Sequence, residues 1–101
     1  MRVRPLQPDR YRLDYAELCE AGFRLLERTY PLVVDVLEYF EFALRRRPAE
    51  AGEPCLAFVD QGRDLRLLMT PATPNYPSLR VLFEITERRV YVWHVSAADP
   101  A

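Results

Sequence analysis

The sequence of 101 residues contains no lysine, so all 14 of its cationic side chains are arginines. A guanidinium group binds phosphate bidentately and stacks on nucleobases, whereas an ammonium group does neither. Two explanations of this bias stay open: selection for arginine chemistry, and a genome rich in GC codons. The net charge of −1 argues against a strongly basic nucleic-acid binder.

Cysteine, histidine and long apolar runs are scarce as well. Cys19 and Cys55 have neither metal-ligand spacing nor a pairing pattern, so we expect two reduced, structural thiols. One histidine without a second ligand gives no metal site, and no glycine-rich phosphate loop is present, so we predict no cofactor. No stretch reaches the roughly 20 apolar residues of a membrane span, and the N-terminus has no apolar signal core. We therefore expect a cytoplasmic protein without a membrane partner.

Residues 79–96 carry the strongest structural pattern of the chain, which is predicted to form one domain over residues 1–101. Alternating apolar and polar residues predict two antiparallel strands joined by a two-residue turn at Glu87 and Arg88. One face, which we expect to lie on helices, carries the pairs Ile85–Val90, Phe83–Val92 and Val81–His94. The opposite face carries the pairs Glu84–Tyr91, Leu82–Trp93 and Arg80–Val95. In this register His94 is a packed core residue, although a slip of one residue would exchange the faces.

A short strand and a helix are predicted near the N-terminus. Residues 10–13 alternate as a strand, and Asp14 with Glu17 fits a capping box. The first helix is therefore predicted to begin at Tyr15. The alternative is a helix that begins near Asp9, since apolar residues from there onward also share one helical face.

Two prolines, Pro31 and Pro48, indicate where the two predicted helices end. The first helix should end near Thr29, because Pro31 disfavours helical geometry in the preceding residue and fits the first turn of a second helix. That second helix should stop before Pro48. The short connection implies an antiparallel pair of helices, each with one apolar face to bury.

The second half of the chain is predicted to be strands. Segments 55–59 and 65–69 are apolar and flank Gly62, which predicts a hairpin, while the three prolines in 70–78 predict a stiff, extended loop. The fold class is therefore α+β. An N-terminal strand and a helical hairpin pack on a three- to four-stranded antiparallel sheet in two layers.

This order of elements, with YRLDY at 11–15 and LRVLFEITERRVYVWHVS at 79–96, resembles the RelE/ParE superfamily of type II toxin–antitoxin toxins. The resemblance implies a RelE-like toxin with a cognate antitoxin as its partner. In the mRNA interferase branch it implies an RNA-binding, ribosome-dependent endoribonuclease that acts on mRNA. Active members usually continue into a basic segment after the last strand, whereas residues 96–101 contain none. Two alternatives follow: a non-enzymatic, ParE-like inhibitor of DNA gyrase, and a binding protein that has kept the fold without toxicity.

The resemblance also indicates site residues. Arg80 matches the arginine that opens the penultimate strand of the family, and Arg66 lies on the preceding strand, where the family often has a basic residue. Cations at these positions would stabilise charge that develops on phosphate, which makes both residues catalytic candidates. The candidates for nucleic-acid or partner binding are Tyr91, Trp93, Leu82 and Tyr76. Each candidate also has a structural alternative. Arg80 would pair with Glu84, the aromatic rings would lie in the core, and Tyr76 would belong to a rigid connector.

Overall fold

A computed structural model describes residues 11–97. In chain order the elements are β1 (Arg12–Tyr15), α1 (Glu17–Thr29), a 3-10 turn (Pro31–Val33), α2 (Val34–Arg46), α3 (Pro48–Ala51), β2 (Glu53–Pro54), a 3-10 segment (Leu56–Gln61), β3 (Leu65–Met69), β4 (Leu79–Thr86) and β5 (Arg89–Ala97). The expected strand residue Arg10, the alternative helix start near Asp9 and the last four residues lie outside the described range.

The five strands form one sheet in the order β1-β5-β4-β3-β2. β1 is parallel to β5, and the other neighbouring strands are antiparallel. The first strand of the chain thus lies beside the last, and the two long helices connect it to the antiparallel strands. The predicted α+β class is confirmed, with a sheet of five strands where three or four were expected.

The hydrophobic core lies between the helices and one face of the sheet. Its fully buried side chains come from both layers: Val33, Phe40, Leu44, Leu79, Val81, Phe83, Val90 and Val92. Each large apolar side chain removed from water contributes about 1.5–3 kcal/mol. At the edge of the core, Tyr15 stacks edge-on against Phe23 with ring centroids 5.0 Å apart and donates a hydrogen bond to the Glu41 carboxylate. Burial, reinforced by Glu41, raises the pKa of Tyr15 well above its ordinary value.

Both cysteines are free thiols, as predicted. Cys19 is buried in the core, whereas Cys55 is only half-buried. Burial raises the pKa of the Cys19 thiol to about 11. The reactive thiolate of this cysteine is therefore suppressed at neutral pH.

The start of the first helix differs from the prediction. Asp14 does not cap the helix, because it belongs to β1, where its carboxylate lies 3.3 Å from Arg12 Nε and 3.1 Å from Arg89 Nε. Pairing with β5 extends β1 as far as Tyr15, so α1 begins only at Glu17. Both the predicted start at Tyr15 and the alternative helix through this segment are wrong. Asp14 and Tyr15 pair with β5 instead of starting the helix, because the hydrogen bonds of the parallel strand pair outweigh the local capping preference.

The ends of the two long helices agree with the proline signals. α1 ends at Thr29 as predicted, and Pro31 opens a 3-10 turn that leads directly into α2. α2 ends at Arg46, before Pro48 starts the short helix α3. No helix among the described residues is long and apolar enough to cross a lipid bilayer.

The predicted hairpin of 55–59 with 65–69 is only half correct. β3 covers 65–69 as expected, but its outer partner is the two-residue strand β2, and 55–59 falls in and beside the 3-10 segment. The amide of Cys55 donates to Leu65 O at 2.8 Å, and the amide of Phe58 then bonds Cys55 O at 3.0 Å. The bond from Phe58 to Cys55 begins the 3-10 segment. The apolar composition of 55–59 therefore did not lead to a strand.

The hairpin of β4 and β5 has the predicted two-residue turn, with Glu87 at a positive φ of 49°. The predicted register is confirmed beside the turn, for the pairs Ile85–Val90, Glu84–Tyr91 and Phe83–Val92. A β-bulge then inserts Trp93 as an extra residue on β5. Beyond it the predicted pairs are wrong, and the observed pairs are Leu82–His94, Val81–Val95 and Arg80–Ser96. Val95 is therefore buried in the core, and His94 is exposed instead of packed.

Candidate functional site

We call the sheet surface that faces away from the helices the open face. On β4 its residues alternate with core residues: Arg80 is exposed between the fully buried Leu79 and Val81. The register assigns the following side chains to the open face: Arg12, Asp14, Leu65, Leu67, Met69, Arg80, Leu82, Glu84, Thr86, Arg89, Tyr91, Trp93, His94 and Ser96. Four of the six residues predicted for the site lie here, namely Arg80, Leu82, Tyr91 and Trp93.

A polar and aromatic cluster occupies the middle of the open face. Arg63 forms a two-bond salt bridge with Glu84, with Nη2 to Oε1 at 2.8 Å and Nε to Oε2 at 3.2 Å. The Trp93 indole N–H donates to Glu84 Oε1 at 3.0 Å. The guanidinium of Arg63 lies 5.6 Å from the ring centroid of Phe58 and 5.8 Å from that of Trp93. Trp93 and Tyr91 in turn meet edge to face at 4.6 Å.

This cluster fixes the charge state and the orientation of its members. The hydrogen bonds from Arg63 lower the pKa of Glu84, and Trp93 adds a smaller effect in the same direction. The hydrogen bond to Glu84 also raises the pKa of Arg63. The indole is thus held in one orientation by a carboxylate that stays ionised at neutral pH. Sequence reasoning missed Arg63, which was placed in a turn, because the partner suggested for Glu84 was Arg80.

Arg80 is the exposed cation at the other end of β4. In the sheet it lies between Met69 of β3 and Ser96 of β5. Its suggested partner Glu84 is bound by Arg63 instead. Within residues 11–97 Arg80 forms no salt bridge, so its guanidinium is available to a ligand.

Arg66 is placed on the other side of the sheet from Arg80. Its register partner is the core residue Phe83, and its side chain is only 19% exposed. The guanidinium donates to Asp64 Oδ1 at 2.8 Å through Nε. Its Nη1 donates to Ala49 O at 2.9 Å and to Gly52 O at 3.2 Å, so Arg66 is engaged within the protein. Arg66 therefore stabilises the end of α3, and the two arginines are not brought together.

Tyr76 also lies away from the open-face cluster. It forms a small bridge with Thr73 in the loop between β3 and β4, where the Thr73 amide donates to Tyr76 O at 2.9 Å. Its ring is half-buried and packs against the hydrophobic core. The loop is therefore held at its tip by local hydrogen bonds.

The bulge brings a residue to the open face that sequence reasoning had assigned to the core. Trp93 and His94 are consecutive in sequence, yet both are exposed, because the bulge interrupts the alternation of β5. His94 lies opposite Leu82, so Arg80 is its diagonal neighbour on β4. Such diagonal positions are about 7–8 Å apart. A cation, an aromatic ring and a histidine thus share one uncovered surface.

Among residues 11–97 no three His, Cys, Asp or Glu side chains converge as ligands for a metal ion. Comparisons of the chain with protein-family models, with curated proteins and with solved structures find no match. The fold is an α+β arrangement of two long helices on a mixed five-stranded sheet.

Proposed function

We propose that this chain is the toxin component of a type II toxin–antitoxin pair, and that it cleaves mRNA on the ribosome with the open face of its sheet. The observation that carries this proposal is the grouping of Arg80, Trp93 and His94 on one uncovered surface. The order of elements supports it, since a strand, two helices and antiparallel strands are what the RelE/ParE resemblance implies.

The grouping fits the chemistry of RNA cleavage. Attack of a 2′-hydroxyl on the adjacent phosphate forms a 2′,3′-cyclic phosphate and breaks the bond from phosphorus to the 5′-oxygen. It needs a group that takes the proton of the 2′-hydroxyl and returns one to the departing 5′-oxygen, and a cation beside the phosphate oxygens that gain charge. Histidine is suited to proton transfer near neutral pH, and the exposed guanidinium of Arg80 can bind phosphate oxygens through two N–H groups. Trp93 offers a flat surface to a base, and such stacking is worth about 1–3 kcal/mol. In this proposal Arg66 has no contact with RNA.

The helical layer supports the proposal of an antitoxin partner. Leu18 on α1 is 84% exposed, and Leu25, seven residues later, is also exposed. On α2, Tyr39 and Phe42 are exposed, and Arg46 covers the Phe42 ring at 5.2 Å. Exposed apolar side chains at helical spacing are typical of surfaces that bind a partner helix or strand. We place the antitoxin on this layer.

A second candidate is inhibition by binding alone, as in the gyrase-inhibiting branch. The observation that favours it is that Arg63 and Arg66 are both engaged within the protein. Arg80 is then the one open-face arginine near His94 that can meet a ligand phosphate within the described residues. A reaction centre with a single arginine beside His94 is better suited to binding than to stabilising a strongly charged transition state.

Induction of the chain in bacterial cells, followed by mapping of mRNA 5′ ends, tests the proposal. We expect growth arrest together with cuts that follow the codon phase. Growth arrest with intact mRNA and a DNA-damage response would instead support the gyrase inhibitor. Normal growth would leave only a binding protein of this fold.

Two variants test the residues. Arg80→Ala should slow cleavage by about 100-fold or more, since it removes a donor to the developing charge. His94→Gln should also slow cleavage, since it removes the group that transfers protons. Arg24→Ala is the matched control, because Arg24 is an exposed arginine on α1, remote in sequence and layer from the open face. Equal activity of all three variants would remove the open face from the reaction.

A further inference from the structure

Three arginines border one cavity at the end of the sheet beside the β4–β5 turn, and the register puts two of them, Arg12 and Arg89, on the open face. Arg12 of β1, Arg88 of the turn and Arg89 of β5 line a shallow cavity of about 460 Å³, together with Thr86 and Glu87. Arg12 and Arg89 are direct neighbours in the register of the parallel pair. The Arg12 amide donates to Arg88 O at 2.8 Å, so the backbone holds the three positions together.

Asp14 positions two of these guanidinium groups without using up their donors. It receives Arg12 Nε at 3.3 Å on one oxygen and Arg89 Nε at 3.1 Å on the other. Within the described residues, no salt bridge or hydrogen bond involves the terminal nitrogens of either guanidinium. These side chains are 71% and 52% exposed, respectively. Each therefore presents a fork of N–H donors that can bind an anion bidentately.

The arrangement is costly without an anion. Like charges on neighbouring strands destabilise a sheet, and one shared carboxylate compensates only part of the repulsion between Arg12 and Arg89. Arg88 gains only a weak contact, with its guanidinium 5.9 Å from the Tyr11 ring centroid. Positive charge on three neighbouring side chains, offset by one carboxylate, favours a bound anion at this place.

We propose that this arginine cluster, Arg12, Arg88 and Arg89, binds the phosphates of a single-stranded polynucleotide. A strand is favoured over a free phosphate, because the cavity is shallow and open to solvent and does not enclose a small anion. Tyr91 follows Arg89 on the same face of β5, and its ring contacts Trp93. Alternate residues of a strand are about 6.6 Å apart. A basic surface that continues into aromatic side chains is the usual arrangement for binding single strands.

This site deepens the proposed function, since the strand it holds is the RNA that would be cut near Arg80. Failure of this site can nevertheless be distinguished from failure of the proposed function. The arginine cluster concerns affinity, whereas Arg80 and His94 concern cleavage. A protein that binds RNA through the cluster but does not arrest growth would refute the toxin proposal alone.

The test measures binding of a fluorescent single-stranded RNA of 12 nucleotides to the full chain over a range of salt concentrations. Each phosphate contact contributes about 0.7 to the slope of log K against log salt. The double variant Arg12→Gln/Arg89→Gln should therefore reduce the slope by about 1.4 and weaken binding by about 25-fold at 0.1 M salt. Arg88→Gln alone, which leaves the contacts of Asp14 intact, should weaken binding by about fivefold.

The matched control is Arg24→Gln/Arg28→Gln, which removes the same charge from exposed positions on α1. We expect this variant to bind almost as tightly as the unmodified chain. Equal losses in both double variants would mean diffuse electrostatic attraction and would overturn the site. Binding of inorganic pyrophosphate at the cluster, with no binding of the oligonucleotide, would overturn the polynucleotide assignment.

Discussion

Replacing Gly52 with alanine should destabilise the fold by about 1–3 kcal/mol, because the core has no room for one more methyl group at this point. A Cβ atom on Gly52 would lie 2.8 and 2.9 Å from two ring carbons of Phe83 and 3.0 Å from the carbonyl oxygen of Leu67. The backbone of Gly52 is extended, with φ −138°, which any residue adopts. The requirement for glycine is therefore purely steric.

The size of the effect follows from what would have to move. Phe83 is fully buried at the centre of the core, and Leu67 O belongs to the backbone of β3. Neither group is the free end of a flexible side chain, so the strain is relieved only by a shift of β4 or of the segment around Gly52. Shifts of this kind in close-packed cores cost about 1–3 kcal/mol. In a domain of this size, each 1 kcal/mol lowers Tm by about 4–8 °C.

Urea unfolding followed by the fluorescence of Trp93, the single tryptophan, measures the change. Gly52→Ala should lower the denaturation midpoint with an unchanged m-value. Phe83→Leu should make room, so the same alanine should cost at least about 0.5 kcal/mol less in that background. Gly22→Ala is the control of opposite sign, since its Cβ would meet only Val95 O at 3.6 Å, and alanine favours a helix interior by about 0.8–1 kcal/mol. A Gly52→Ala protein as stable as the parent would refute the reasoning.

Three further predictions concern the turn and the titrating groups. Glu87→Gly should stabilise the fold by about 1 kcal/mol in urea unfolding, because glycine adopts its positive φ with less strain, and Arg88→Gly should give no such gain. Because folding raises the pKa of Tyr15, its contribution to the free energy of unfolding is fully present below about pH 10 and is lost as pH rises further. Tyr15→Phe should therefore flatten the decline in stability at alkaline pH, measured by unfolding at a series of pH values. Because folding lowers the pKa of Glu84, its contribution to the free energy of unfolding is present above about pH 4.3 and is lost as pH falls through the folded-state pKa. The fluorescence of Trp93 should therefore change with a midpoint below about pH 4.3 in an acid titration, and this change should be absent in Glu84→Gln. A midpoint at or above that pH would contradict the ion pair.

Part of the open face was predictable from strand periodicity. Arg80, Leu82, Tyr91 and Trp93 alternate with core residues, and the side that they share is the side that the sequence predicted. Arg66 could not be placed in this way, because its role depends on α3, which brings the carbonyl oxygens of Ala49 and Gly52 within reach of its guanidinium. Arg63 was missed for a similar reason, since it approaches Glu84 from a turn that is 21 residues away in sequence.

The sequence by itself determined that the first helix ends near Thr29 and the second before Pro48, and it determined the central hairpin and its two-residue turn. These depend on local physics: proline geometry, helical and strand periodicity, and the short connections between neighbouring elements. Only the tertiary structure decided that β1 pairs with β5, which shortened α1, and that a bulge at Trp93 turns His94 to the surface. Both outcomes depend on hydrogen bonds and packing between strands far apart in sequence or across a whole sheet, where no local pattern carries the information.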